Sequence, residues 1–204
     1  TKGVYAGVNF LNKQQKDLGR VVVIGGGNVA VDCARVAIRN AASTTMISLE
    51  KRNELSASEE EVEEALHDGV TTNCGWDPKE ILTQDGKVTG IVLKKCLQVK
   101  NKVGKFNPIY DEEETMTIEC DTIVTAIGQC IEWGDLLKGS HVEVLPNGTA
   151  KADHWTYQTN QDDIFVGGDV YTGPHCQVLF LMKMIMYILS VSYTHLRAHE
   201  TPEH

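Results

Sequence analysis

The feature that most constrains the fold is a run of three glycines between a short apolar segment and an amphipathic one. Val21-Val22-Val23-Ile24 is followed at once by Gly25-Gly26-Gly27, and residues 28–40 show helical periodicity. A short, uniformly apolar β-branched run is typical of a strand buried on both faces, as in a parallel sheet. Together with a second strand predicted at 44–49, the pattern indicates a right-handed βαβ unit.

The same loop has the spacing G-x-G-x-x-A, formed by Gly25, Gly26, Gly27, Asn28, Val29 and Ala30. The first glycine of this motif permits the tight turn, the second leaves room for a diphosphate beside the backbone, and the small alanine lets helix and strand pack closely. The free N–H groups at the helix N-terminus then face the phosphates. The loop therefore predicts a dinucleotide site, and a purely structural glycine turn is the alternative.

An acidic residue stands where such a site holds the adenosine ribose. Glu50 follows Ala30 by twenty residues, at the end of the second predicted strand. A carboxylate there accepts hydrogen bonds from the ribose hydroxyls and repels a 2′-phosphate, which favours NAD(H). Lys51 and Arg52 follow directly, and either could pair with that phosphate, so NADP(H) stays open.

The rest of the chain predicts helices first and then mainly strands. A helix is expected over 3–17, and Ser58 and Glu61 have the spacing of a capping box that opens another helix. Alternating strands are expected between 78 and 127, with the acidic run 111–114 at a hairpin tip. A last short buried strand is expected at 163–166.

Composition excludes several classes of protein. The formal net charge of −9 argues against nucleic-acid binding, which needs a basic face. The six cysteines include no C-x-x-C pair, which argues against a zinc knuckle or vicinal disulfide and suits a reducing cytoplasm. No metal site is predicted, because the cysteine spacing does not suit one. No membrane span is predicted, because no apolar stretch reaches about 20 residues. The start at Thr1 suggests a chain entered partway through.

Four segments resemble the FAD-dependent pyridine-nucleotide oxidoreductases similar to the glutamate synthase small subunit. They are Gly25 to Asp32, Glu54 to Ala57 with the acidic helix and Asp68-Gly69-Val70 after it, Thr125 to Gln129, and Ile164 to Val170 with Thr172-Gly173-Pro174. The resemblance implies an α/β fold: a Rossmann-like NAD(P)-binding domain with an antiparallel β insertion, itself inserted in a partial FAD-binding domain.

The resemblance also implies domain boundaries. Residues 1–19 would be a trailing part of the FAD domain or a linker, 20–128 the NAD(P)H-binding domain, and 129–174 the C-terminal part of the FAD domain. The chain would cross back to that domain near Gly128, and Gly168 and Asp169 would contact the flavin cofactor. The tail 175–204 departs from the family and is expected to be off-frame or adapter-derived sequence.

Two departures bear on the cofactors. NADPH-using members carry paired arginines at the end of the second strand, whereas Leu49 and Glu50 are matched to those places and Arg52 to a later family arginine. The glycine loop that binds the ADP half of FAD is expected upstream of Thr1. The chain by itself is therefore expected not to retain FAD.

The chemistry implied is hydride transfer from NAD(P)H to flavin, and electrons would pass on to a partner domain or subunit. The cofactors carry out this step, so no catalytic residue is assigned. Thioredoxin-reductase-like chemistry would need a C-x-x-C pair, which the sequence lacks. The remaining alternative is a non-catalytic NAD(H)-binding or docking fragment without flavin.

Overall fold

The computed structural model describes residues 1–13, 16–128 and 131–173, and the chain divides into two compact units after Gly128. The predicted tail 175–204 lies outside the described residues. The elements in chain order are β1 (Val4–Ala6), α1 (Gly7–Asn12), β2 (Arg20–Ile24), α2 (Asn28–Ile38), β3 (Ser43–Ser48), a 3₁₀ turn (Arg52–Glu54), α3 (Glu59–His67), β4 (Thr71–Cys74), β5 (Trp76–Gln84), β6 (Lys87–Lys100), β7 (Phe106–Glu119), β8 (Thr122–Thr125) and α4 (Asp169–Thr172).

The first unit contains a five-stranded parallel sheet and a three-stranded antiparallel sheet. The parallel sheet has the order β1-β8-β2-β3-β4, and the antiparallel sheet has the order β5-β6-β7. The apolar run of β2 is buried along Val21–Ile24, as the sequence predicts. The mixed α/β fold with an antiparallel insertion is confirmed.

Two apolar clusters explain why β2 is buried on both faces. On one face, Val21 and Val23 belong to a cluster with helix residues such as Phe10 and Val31. On the other face, Val22 and Ile24 join a cluster with the antiparallel strands, including Leu93. Because successive side chains of a strand point to opposite faces, one short run supplies both clusters.

The helix predicted over 3–17 is wrong in its first part. Val4–Ala6 forms β1, which pairs in parallel with β8 through Val4↔Ile123 and Ala6↔Thr125. Of the residues of 3–17 that the structure describes, only Gly7–Asn12 is helical. Backbone pairing with a neighbouring strand outweighs the weak helical periodicity of this segment. The structure groups residues 1–13 with the strands of the first unit. The domain boundary expected at residue 20 stays a prediction.

The acidic run at 111–114 forms a bulge inside β7, not the predicted hairpin tip. Lys94 pairs with Thr115 and Lys95 with Asp111, so residues 112–114 have no partner opposite them. The Asp111 carboxylate accepts hydrogen bonds from the N–H groups of the last two bulge residues at 3.0 and 3.2 Å. This side chain replaces the missing strand carbonyls and allows the ribbon to continue past the bulge.

The described part of the second unit, residues 131–173, contains short backbone bridges. They join Val144 to Ala150, Ala152 to Thr159, and Gln158 to Phe165. The buried strand predicted at 163–166 is wrong, because this segment has a bridge only at Phe165, whose side chain is 60% exposed.

Candidate functional site

The first glycine of the loop is required by a close approach of two strands. Gly25 has φ +145°, and its N–H donates to the Ile47 carbonyl at 2.8 Å. A Cβ placed on Gly25 would lie 2.3 Å from the Ala126 carbonyl oxygen. No other residue fits where β2 leaves the sheet beside β8.

The next two glycines face side chains at the end of β3 and beyond it. A Cβ on Gly26 would lie 2.9 Å from Glu50 Oε2, and one on Gly27 would lie 3.3 Å from Ser56 Oγ. The structure therefore brings together the glycine loop and Glu50, which the sequence separates by more than twenty residues. A carboxylate and a bare stretch of backbone meet at one end of the parallel sheet.

The N-terminus of α2 leaves several donors available. Gly27 occupies the N-cap position without a side-chain cap, and its carbonyl accepts from the Ala30 and Val31 N–H groups at 2.9 and 3.2 Å. Within the described part of the chain, no protein acceptor is found for the N–H groups of residues 26–29. Donors of this kind, at the positive end of a helix dipole, suit a diphosphate. The residues present thus fit the phosphates of a dinucleotide.

A short segment before α3 fixes the loop in this conformation. The Ala57 N–H and the Ser56 hydroxyl donate to the Gly26 carbonyl at 3.0 and 3.3 Å, and the Ser58 N–H donates to Asn28 Oδ1 at 3.2 Å. Ser58 also caps α3, because its hydroxyl oxygen accepts from the Glu61 N–H at 3.3 Å. This hydrogen bond confirms the serine half of the predicted capping box. The Asn28 side chain is thus used to join two helix N-termini, and its backbone N–H is what remains for a ligand.

A groove of about 450 Å³ opens beside Glu50. One wall consists of residues 49–51 with Glu54 and Ser56, and the other is the end of β6, residues 96–100. The Glu50 carbonyl accepts from the Ser48 hydroxyl and the Gly75 N–H, both at 2.9 Å, which fixes the backbone at this point. The volume lies within the range of small-molecule sites.

The two cations after Glu50 are placed differently. Lys51 lines the groove. The Arg52 guanidinium forms ion pairs with Glu59 and Glu63 of α3, both at 2.8 Å. Of the two residues predicted as partners of a 2′-phosphate, Lys51 is therefore at the groove and Arg52 is engaged elsewhere.

The remaining predicted site residues lie at the end of the first unit and in the second. Gly128, with φ +114°, ends the first unit, and a Cβ there would meet nothing within 4 Å. Gly168 has φ +66°, and its carbonyl accepts from the Tyr171 and Thr172 N–H groups at 3.0 Å, which starts α4. Asp169 is exposed at the first position of this helix. The flavin contacts predicted for these residues stay predictions.

The cysteines of the described segments are free and mostly buried. Burial raises the pKa of Cys33 and of Cys120 to about 11. Such thiols are poor nucleophiles, because the thiolate is the reactive form. In the same segments, no cluster of three or more potential metal ligands occurs, and no helix has the length and apolarity to cross a membrane.

Sequence reasoning missed the second wall of the groove. Cys96 to Lys100 carry no motif, and they come from the antiparallel insertion, about fifty residues after Glu50. The one hint in the sequence is the glycine at position 75. In the structure, Gly75 lies at the junction of β4 and β5 with φ +78°. An isolated glycine between two strands predicts a turn but not what the turn brings together.

A glycine loop at the carboxyl end of a buried parallel strand, with Glu50 at the end of the next strand, defines a Rossmann-type dinucleotide-binding domain. Residues 2–186 match the pyridine nucleotide-disulphide oxidoreductase family. The chain belongs to this family, and membership identifies NAD(P)H and FAD as its cofactors.

Two curated relatives agree with this assignment. The chain is 32% identical over 182 residues to the NADP(+)-dependent formate dehydrogenase subunit beta of Moorella thermoacetica, which covers 84% of this chain and 25% of that protein. It is 34% identical over 158 residues to the glutamate synthase [NADPH] small chain of Azospirillum brasilense, covering 75% of this chain and 32% of that protein. The chain thus spans only a quarter to a third of the length of these relatives.

A solved structure confirms the fold. Thioredoxin reductase of T. acidophilum superposes with a TM-score of 0.66 over 93% of this chain and 58% of that chain, at 22% identity. This likeness concerns the fold alone. The present sequence contains no C-x-x-C pair.

Proposed function

We propose that the chain is the nicotinamide-binding portion of an FAD-dependent NAD(P)H oxidoreductase, which passes electrons to a partner domain or subunit as in glutamate-synthase-like assemblies. One observation supports this most directly. The Glu50 carboxylate lies beside the bare backbone of Gly26, at a helix N-terminus whose N–H groups have no protein acceptor among the described residues.

The chain's own residues bind and orient the dinucleotide. The N–H groups of residues 26–29 hold the diphosphate, and Glu50 accepts hydrogen bonds from the adenosine ribose. When bound, NAD(P)H would supply a hydride to the flavin, chemistry that belongs to the cofactors and needs no protein acid or base. No residue of this chain is therefore assigned a catalytic role.

Within this function, NADH is preferred to NADPH. Glu50 opposes a 2′-phosphate, and the Arg52 guanidinium, which could neutralise it, is paired with Glu59 and Glu63. The names of both relatives above carry NADP(+) or NADPH. In the present chain, Glu50 and Lys51 both line the groove, so one negative and one positive side chain face the same space.

The preference is tested by calorimetry with NADH and NADPH on the chain and on Glu50→Gln. We expect the unaltered chain to bind NADH more tightly than NADPH. In the variant, the ratio of the two affinities should fall about tenfold, because a negative charge near the 2′ position is removed. Glu60→Gln is the matched control, because it removes the same charge from an exposed position of α3. Tighter binding of NADPH to the unaltered chain would overturn the NADH assignment.

The oxidoreductase function is tested on the longer protein that carries this chain. We expect a yellow, FAD-loaded protein that oxidises NADH with an artificial electron acceptor. If the longer protein is colourless and inactive but the isolated chain still binds NADH, the oxidoreductase function is wrong. The non-catalytic NAD(H)-binding function then replaces it. The absence of NADH binding by a folded chain would refute both.

A further inference from the structure

We infer that the antiparallel insertion is part of the cofactor site: the end of β6, residues 96–100, forms the second wall of the adenosine pocket. This inference rests on the proposed function, because it deepens the site at Gly26 and Glu50. It assigns a binding role to a segment that carries no dinucleotide motif. The ligand class is an adenine nucleotide.

The two walls of the groove are joined by backbone hydrogen bonds through Gly75. The Gly75 N–H donates to the Glu50 carbonyl at 2.9 Å, and the Gly75 carbonyl accepts from the Cys96 N–H at 2.9 Å. One residue therefore bridges the end of β3 and the end of β6. Its φ of +78° lies in the left-handed region, which glycine adopts without strain. The backbone of Gly75 thus links the two walls at this point.

The groove continues directly from the glycine loop. Ser56 lines the groove and also donates to the Gly26 carbonyl, and Glu50 lines the groove while its carboxylate lies beside Gly26. A dinucleotide with its diphosphate at the loop and its ribose at Glu50 would bring its base to the groove between the two walls. A volume of about 450 Å³ accommodates a nucleoside.

The second wall has side chains that suit a purine. Leu97 is 50% exposed at the groove, which leaves apolar surface for the face of a base. Gln98 beside it carries an amide that both donates and accepts, as the edge of adenine does. Cys96 and Val99, which also line the groove, are largely buried.

The inference is tested by calorimetry with ADP-ribose on the complete 204-residue chain. Leu97→Ser should weaken ADP-ribose binding about fivefold, the effect expected for the apolar area that a half-exposed leucine can still bury. Val103→Ser is the matched control, because Val103 is 84% exposed in the turn of the same ribbon and does not line the groove. Nicotinamide mononucleotide, which lacks adenosine, should bind equally to all three proteins.

Hydrogen exchange on the unaltered chain provides a measurement without substitution. ADP-ribose should slow exchange at residues 96–100 and leave the turn at 101–105 unchanged. If ADP-ribose binds but Leu97→Ser and the exchange at 96–100 are both unaffected, the inference is wrong and the proposed function stands. If the folded unaltered chain binds no ADP-ribose, both are wrong.

Discussion

Alanine at two adjacent glycines of the loop should produce two different defects. In Gly25→Ala the new Cβ would lie 2.3 Å from a backbone carbonyl oxygen, that of Ala126, at a φ of +145°. Neither β2 nor β8 can move without losing its pairing in the parallel sheet. Overpacking and an unfavourable backbone conformation each cost about 1–3 kcal/mol, so we expect a loss of about 4 kcal/mol in the free energy of unfolding.

In Gly26→Ala the obstacles are the ends of flexible side chains. The new Cβ would lie 2.9 Å from Glu50 Oε2 and 2.9 Å from Leu55 Cδ2, and Gly26 has no positive φ. Both side chains can rotate away, so the loss of stability should be about 1 kcal/mol. The methyl group nevertheless displaces Glu50 and occupies the approach to the loop. NADH affinity should fall at least tenfold, or about 1.4 kcal/mol.

Urea denaturation followed by far-ultraviolet circular dichroism measures the first effect, and calorimetry with NADH measures the second. Gly86→Ala is a control for the backbone cost alone, because Gly86 lies in the β5–β6 turn with φ +75°, and a Cβ there would meet nothing within 4 Å. The reasoning fails if Gly26→Ala binds NADH like the unaltered chain, or if Gly25→Ala unfolds at the same urea concentration as Gly26→Ala.

Three further outcomes follow from the charges and thiols of the first unit. The hydrogen bond from the Arg20 side chain lowers the pKa of Asp121, so the stabilisation it gives is complete above about pH 4 and is lost as pH falls through the folded-state pKa. The urea midpoint of Arg20→Gln should therefore depend less on pH in this acid range than that of the unaltered chain. An unchanged acid dependence would contradict the pairing. Arg52→Gln should lower the free energy of unfolding by about 0.5 kcal/mol at low ionic strength, because its glutamate partners on α3 are largely exposed. In high salt the variant and the unaltered chain should denature almost alike. Cys33 and Cys120 should resist a thiol reagent at mildly alkaline pH until urea unfolds the chain, because both thiols are buried and have a raised pKa. Peptide mapping by mass spectrometry measures the labelling. Rapid labelling of either cysteine in the folded state would mean that it is not buried.

The elements that local pattern determines were predictable. Val21–Ile24 could only be a buried strand, and the glycine loop placed the start of α2 at Asn28. Glu50 could be placed beside the loop because the carboxyl ends of adjacent parallel strands meet at one edge of a sheet. These predictions needed only spacing and the geometry of one βαβ unit.

The features that long-range pairing determines were not predictable. Val4–Ala6 is a strand because β8 lies beside it, and no property of the segment itself indicates that partner. The bulge at 112–114 depends on which lysine faces which residue across the ribbon. The second wall of the groove depends on Gly75 joining two sheets. In each case the contact that determines the structure joins residues that are well separated in the sequence.

The order of strands in the parallel sheet has a consequence for synthesis on the ribosome. β8 lies between β1 and β2, although it is the last of the five strands to be made. Until β8 leaves the exit tunnel, β1 has no neighbour in the sheet and β2 has one edge unpaired. The antiparallel ribbon, made of strands that follow one another, can form earlier because its contacts are local. We therefore expect the nascent chain to expose an unpaired strand edge for most of the synthesis of the first unit.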